Sequence, residues 1–348
     1  MTSRTALLPA LFLGLLLPLL FGPSGPAAAR EPYKIMMVLW RGCEDACRGF
    51  QDYLRAQDIP VDYLMRDVKQ DPLALPRLVA EARAFQVDLV VTWGTTASLG
   101  MLGRHDQVDP DLHLTDTPAL FMIVTDPLGV GLVPSLERSG RNLSGSLVVV
   151  PEDVQMRAIQ SYRPVKRIGV VYNTDEINAV VSLERLRKVA DEMGLTVVAR
   201  EVPLDERGKP YAGSLPGIVA DMADEVDLFY IGSSSFLLVH RDAFTSAAVA
   251  KGVPVAAAGE VPVMESNALM GLVSRYYNVG QLTAAKAEQI LVGGKRPEDI
   301  PIEALSRFSL IVNMEVAHKL KLYPPLGLQR FADVIKVSGQ PHAPEAKP

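Results

Sequence analysis

Past its first thirty residues, the chain alternates between two kinds of apolar pattern. Short, continuous apolar runs bounded by turn residues have the length of fully buried strands. Between them lie segments whose apolar positions recur at helical spacing. Strands are predicted at 33–40, 61–65, 88–93 and 119–124. Helices are predicted from about Gly42 to Gln57, over 73–85 behind Asp71-Pro72, and after the turn Gly94-Thr95-Thr96. The pattern then restarts, with strands at 167–172, 196–202, 228–231 and 253–257 alternating with helices at 177–193, 215–224 and 244–251. A helix at 279–291, a strand at 308–312 and a helix at 314–320 follow. This alternation indicates two successive α/β units, each a parallel sheet with helices on both faces. Ligands of such sheets bind outside the carboxyl ends of the strands. The strand-to-helix turns are therefore the candidate functional positions.

The first thirty residues read differently. Arg4 precedes an apolar run, 6–22, broken by Pro9 and Pro18. Gly22-Pro23-Ser24-Gly25-Pro26 and then Ala27-Ala28-Ala29 follow. This is the order of a secretory signal peptide, with cleavage expected after Ala29. A retained anchor would need about 20 apolar residues without helix breakers. Nothing later is long and apolar enough to span a membrane, so the mature chain is expected to be exported and soluble. The tail at 336–348, rich in Pro and Ala, is expected to be flexible.

Composition narrows the function classes. At roughly 100–200 residues per domain, 348 residues fit about two domains. With 48% hydrophobic and 22% charged residues, global disorder is excluded. The net charge of −5 argues against nucleic-acid binding, which needs a Lys/Arg excess. Cys43 and Cys47 stand four apart at a helix start, where their Cα atoms would lie about 6 Å apart, within reach of a disulfide. An oxidising compartment permits that bond, and a pair of free buried thiols is the alternative. There is no Gly-x-Ser-x-Gly elbow, HExxH, Walker A loop, GxGxxG or CxxC. No catalytic residue, metal or cofactor is therefore expected.

One block carries a family resemblance. Thr125-Asp126-Pro127-Leu128-Gly129-Val130-Gly131-Leu132-Val133, then Ser135-Leu136 and Gly140-Arg141-Asn142-Leu143-Ser144-Gly145, resembles a signature of exported substrate-binding proteins of ABC transporters. The resembling family includes tryptophan and tyrosine binders. Shorter segments at 166–173, 299–303 and 313–324 are similar to the same family. The resemblance implies a type I periplasmic-binding-protein architecture, with two Rossmann-like lobes, parallel sheets and a ligand cleft between them. Lobe 1 would comprise 30–150 plus about 272–301, and lobe 2 would comprise 151–271 plus about 302–335. The three crossings are expected near 149–151, 271–274 and 300–302. The implied function is periplasmic capture of a small solute, amino-acid-like or aromatic, by hinge closure, with delivery to an ABC permease and its separate ATPase subunit. A monomer is expected. The alternatives are a ligand-sensing periplasmic subunit of a signalling receptor and an exported hydrolase of the same architecture.

The candidate ligand residues sit on the turns. Gly94, Thr95 and Thr96 open a helix whose free N–H groups and hydroxyls suit an anion, although plain capping by Thr is the bland reading. Thr125 and Asp126 end a strand, and Asp126 either accepts from a ligand or caps the next turn. Tyr172, Asn173 and Asn178 offer an aromatic face and amides where the second unit begins. Amino-acid binders of the resembling family often carry Thr-Asp-Asn at the turn that here reads Ser233-Ser234-Ser235. This chain offers only hydroxyls there, which leaves Glu260 as the candidate for the missing negative charge. Tyr276, close to an expected crossing, completes the set.

Overall fold

The computed structural model describes residues 31–335. The expected signal sequence and the expected flexible tail lie outside the described residues. The apolar run at the start forms β1 (Tyr33–Leu39). It is followed by α1 (Asp45–Ala56), β2 (Val61–Asp67), α2 (Leu75–Ala84), β3 (Leu89–Trp93), α3 (Thr95–Leu102), β4 (Ala119–Val124) and β5 (Leu143–Leu147). Every residue of β3 and β4 is buried, as expected of strands covered on both faces.

The chain then enters a second sheet through α4 (Glu152–Tyr162), β6 (Arg167–Tyr172), α5 (Ile177–Glu192), β7 (Thr196–Glu201) and α6 (Leu215–Met222). It continues through β8 (Leu228–Ile231), α7 (Ser235–Val239), α8 (Arg241–Ala250), β9 (Val255–Ala257), α9 (Val261–Met264) and β10 (Met270–Val273). It returns to the first sheet with α10 (Tyr276–Leu291) and β11 (Glu303–Ala304). It ends on the second with β12 (Ser309–Asn313), α11 (Met314–Leu320), α12 (Leu326–Gln329) and β13 (Ala332–Ile335). The first sheet has the order β11-β5-β4-β3-β1-β2, and the second β13-β12-β10-β9-β8-β6-β7. The molecule is therefore α/β, with two mainly parallel sheets interleaved with helices.

One pair departs from the parallel expectation: β10 and β12 are antiparallel. The excursion through α10 and β11 explains it. A strand that ends at the junction between sheets lies beside one that begins there, so the two run in opposite directions. The chain passes between sheets at 148–151, 274–275 and 305–308. The second passage lies just past the 271–274 expectation, because Gly271–Val273 still pair in the second sheet with Ile311–Ser309. The third lies later than 300–302, because Glu303 and Ala304 pair with Ser146 and Leu147 in the first sheet.

Strand β5 had no apolar signal, since its centre is Ser144-Gly145-Ser146. It is buried all the same. The Ser144 hydroxyl donates to the Ile300 carbonyl at 2.8 Å. A Cβ at Gly145 would lie 2.5 Å from the Phe121 ring. In α10, the long side chain of Lys286 is 2% exposed. Its ammonium donates to the Pro301 carbonyl and pairs with Glu303 at 3.1 Å, tying the helix to β11. Burial pushes the Lys286 ammonium below its ordinary range.

Candidate functional site

The carboxyl ends of β1, β3 and β4 in the first sheet meet the start of α5 and the turn after β8 in the second. A small cavity lies between them. Nine of the expected residues line it: Gly94, Thr95, Thr96, Thr125, Asn178, Ser233, Ser234, Ser235 and Tyr276. Trp40, Arg41, Trp93, Ile123, Val148 and Leu238 complete the wall.

On the first-sheet side, β3 ends at Trp93 and the chain turns at Gly94, whose φ of +95° suits glycine. The Ser98 hydroxyl donates back to the Gly94 carbonyl at 2.8 Å and meets the Thr92 hydroxyl at 2.8 Å, bracing the turn into α3. Arg41 follows β1. Its guanidinium lies over the Trp93 ring, 4.7 Å from the centroid, and its Nε and Nη2 donate to the Glu44 carboxylate at 2.5 and 3.1 Å. Burial works against the charge, but the Glu44 carboxylate outweighs it and holds the Arg41 guanidinium above its ordinary range. Tyr276 meets Trp93 edge to face with centroids 6.4 Å apart. The loop that carries Arg41 is anchored by a Cys43–Cys47 disulfide with Cα atoms 5.2 Å apart.

Ile123 has φ of +58°, which is strained for a β-branched residue. The pairing of β4 with β5 shifts register between Phe121 and Val124, at the same place. A bulge of this kind re-aims a side chain, and strained backbone concentrates at functional sites. Ile123 belongs to the cavity wall.

On the second-sheet side, the Ser234 hydroxyl caps α7, accepting from the Leu237 N–H at 3.0 Å while donating to Asn173 Oδ1 at 2.7 Å. Beneath this turn sits Glu176, 6% exposed. Its carboxylate accepts from the Ser235 and Phe236 N–H groups at 2.6 and 2.8 Å and from Asn178 Nδ2 at 3.2 Å. Asn178 Nδ2 also donates to the Ser233 carbonyl at 3.0 Å.

Four expected residues are not among those that line the cavity, and three of them, Asp126, Asn173 and Glu260, have side-chain partners within the chain. Asn173 is fully buried and bonds Ser234 and Asp175. Tyr172 lines a smaller space beside it with Ser182, Leu186 and Tyr230. Asp126 accepts from the Gly129 N–H at 2.9 Å, the turn-capping reading, and pairs with Arg185 of α5 at 3.0 Å. Arg185 also donates to Glu152 at 2.7 Å, so one guanidinium links a turn of the first sheet to two helices of the second. Glu260 pairs with Arg275 at 2.6 Å and accepts from the Tyr276 N–H at 2.7 Å. Burial pushes its carboxyl above the ordinary range. Glu260 thus fixes the start of α10, and with it Tyr276.

The residues that sequence reasoning missed are the aromatic and cationic ones. Trp40, Arg41 and Trp93 stand at the ends of β1 and β3, where the strand-end rule could have found them. Glu176 precedes α5 in the chain, but its carboxylate caps a different helix, α7.

Comparison with known proteins agrees with this fold. Residues 35–332 match the family described as ABC transporter substrate binding protein. A tyrosine-binding protein of Clostridioides difficile (strain R20291) is 27% identical over 208 residues, which span 60% of this chain and 58% of that protein. An ABC domain from Streptococcus pneumonia in complex with L-Trp superposes with a TM-score of 0.74 at 22% identity, covering 87% of this chain and all of that one. A ligand-free, open substrate-binding protein with adhesive properties from Clostridium difficile gives 0.67 at 22% identity, covering 88% of this chain and 100% of that one. Among the described residues, no helix is long and apolar enough to cross a membrane. With its family matched over most of its length and its cavity set at the strand ends between two sheets, the chain belongs to the ABC transporter substrate-binding proteins.

Proposed function

We propose that this protein captures an aromatic amino acid or a close relative of one outside the cytoplasm and passes it to a membrane permease powered by a separate ATPase. The observation that carries this reading is the composition of the cavity. One wall holds a guanidinium, two indoles and a tyrosine, and the other holds hydroxyls and an amide. A guanidinium suits a carboxylate, and flanking aromatic faces suit a ring. Gly94, Thr95, Thr96, Thr125, Asn178, Ser233, Ser234, Ser235 and Tyr276 are the proposed contacts, together with Arg41, Trp40 and Trp93. The tyrosine- and tryptophan-linked relatives support the same class of ligand. Function on this reading is differential affinity between open and closed lobes, not bond chemistry.

The test is thermal unfolding and calorimetry of residues 30–348 with L-tryptophan, L-tyrosine, L-phenylalanine, nucleosides, sugars and simple carboxylates. A ligand at 100 times its dissociation constant stabilises by about 2.7 kcal/mol. A shift with an aromatic amino acid is expected. A shift only with another class would overturn the amino-acid reading and leave capture by the lobes in place.

The Asp126–Arg185 pair is proposed to hold the closed arrangement. Arg185 is 37% exposed, so solvent weakens the pair. Asp126→Asn keeps an acceptor for the Gly129 N–H and removes only the charge. It is expected to weaken ligand binding about threefold at low salt, with the difference from wild type shrinking at high salt. Titrations at two ionic strengths read this directly.

A further inference from the structure

The two walls of the cavity differ in polarity. The first-sheet wall presents donors: the Arg41 guanidinium and the Thr95 and Thr96 hydroxyls at the start of α3. The second-sheet wall has no charged side chain of its own. Helix α7 opens at the turn Ser233 to Ser235 with backbone N–H groups that have no partner inside the helix. In the structure, those of Ser235 and Phe236 are occupied by the Glu176 carboxylate. A ligand carboxylate placed there would meet a buried negative charge instead of open donors.

Glu176 also decides how Asn178 faces. Both neighbours of Asn178 Nδ2 are acceptors, the Glu176 carboxylate and the Ser233 carbonyl. The NH2 end of the amide must point at them, which leaves Oδ1 as the acceptor that Asn178 brings to the wall. The cavity thus presents donors on one lobe and an acceptor on the other.

We propose that Glu176 is a positioning residue for specificity: it closes the serine turn to carboxylates and turns Asn178 to accept, so that the second lobe receives the ammonium of a zwitterionic amino acid while the carboxylate lies at Arg41. The inference rests on the amino-acid reading above and adds the orientation of the ligand and the rejection of simple acids. The family resemblance pointed instead to the turn residues themselves as the place for an acidic partner, and these are serines here.

The experiment compares L-tyrosine with 3-(4-hydroxyphenyl)propanoate, and L-tryptophan with indole-3-propanoate, by calorimetry on the wild type and on Glu176→Gln. The wild type is expected to prefer each amino acid over its deaminated acid by at least about tenfold. Glu176→Gln should reduce that ratio by about tenfold, mostly through weaker binding of the amino acid. A purely structural role would weaken both members alike and leave the ratio unchanged, and that result overturns the proposal. Asn178→Ala, which leaves the Glu176 cap on α7 in place, should also lower the ratio and serves if the glutamine variant folds poorly. A wild type that binds the deaminated acids as tightly as the amino acids overturns the proposal without any variant. If the wild type binds neither member of either pair, the amino-acid reading fails as well.

Discussion

Arg41→Ala is expected to weaken ligand binding by about a hundredfold or more, which is roughly 2.7 kcal/mol. Among the described residues, Arg41 is the one cationic side chain that lines the cavity, and its own side chain is only 9% exposed. In so dry a setting a charge-assisted hydrogen bond is strong, and its loss leaves the ligand's carboxylate without a counter-charge. Arg41→Lys should rescue little. A lysine cannot keep two parallel bonds to Glu44, lie flat on the Trp93 ring and still face the cavity. Glu44→Gln is the control. It removes the neighbouring charge but keeps the cation and an acceptor, so it should cost much less than Arg41→Ala. Calorimetric titration with the ligand found for the wild type reads all three. Equal affinity of Arg41→Ala and wild type would remove Arg41 from the binding site.

The second large effect concerns the scaffold. Helices α1 and α10 cross where Gly49 meets the Tyr277 backbone and Gly280 meets that of Ala46 and Phe50. A Cβ built at Gly280 would lie 1.9 Å from the Ala46 carbonyl oxygen, and one at Gly49 would lie 2.0 Å from that of Tyr277. The atoms in the way are backbone, which cannot swing aside as a side chain can. Gly280→Ala is therefore expected to destabilise the protein by about 3 kcal/mol or more, although alanine is the better helix former. Gly217, exposed in α6 with nothing within 4 Å of its missing Cβ, provides the opposite case. Gly217→Ala should stabilise by about 0.4–1 kcal/mol. Urea unfolding of the two variants checks both signs at once. Since α10 begins at Tyr276, a loosened crossing should also weaken ligand binding.

Much of the fold was legible because burial is periodic. A strand covered on both faces must be a continuous apolar run, so β1, β3 and β4 announced themselves. The breaks came where burial is achieved without apolar side chains. Strand β5, with its Ser-Gly-Ser centre, is held by the Ser144 bond to Ile300 and by a glycine that admits the Phe121 ring. The family resemblance implied a crossing near 271–274, yet residues 270–273 pair with β9 and β12.

The site was legible to the level of the turns. A chain of this class must put its ligand at strand ends, which brought Gly94, Thr95, Thr96, Thr125 and the three serines to one cavity. What sequence could not assign was the partner of each polar group. Asp126, Asn173 and Glu260 have the same local signature as ligand-binding residues, but they spend their acceptors on Arg185, Ser234 and Arg275. Arg41 and Glu176 carry no local signature of their roles: the Arg41 guanidinium lies over Trp93 on the cavity wall, and the Glu176 carboxylate caps α7.

The sequence by itself determined the α/β class, the two successive units, the family and the loops of the candidate site. These follow from local periodicity and short motifs, which neighbouring residues specify among themselves. Only the tertiary structure decided that Glu176 caps a helix some sixty residues away, that Arg185 joins the two lobes, and that two glycines let α1 and α10 meet backbone to backbone. Hydrogen bonds and close approaches depend on distances of a few tenths of an ångström between segments remote in the chain, and no local pattern encodes those distances.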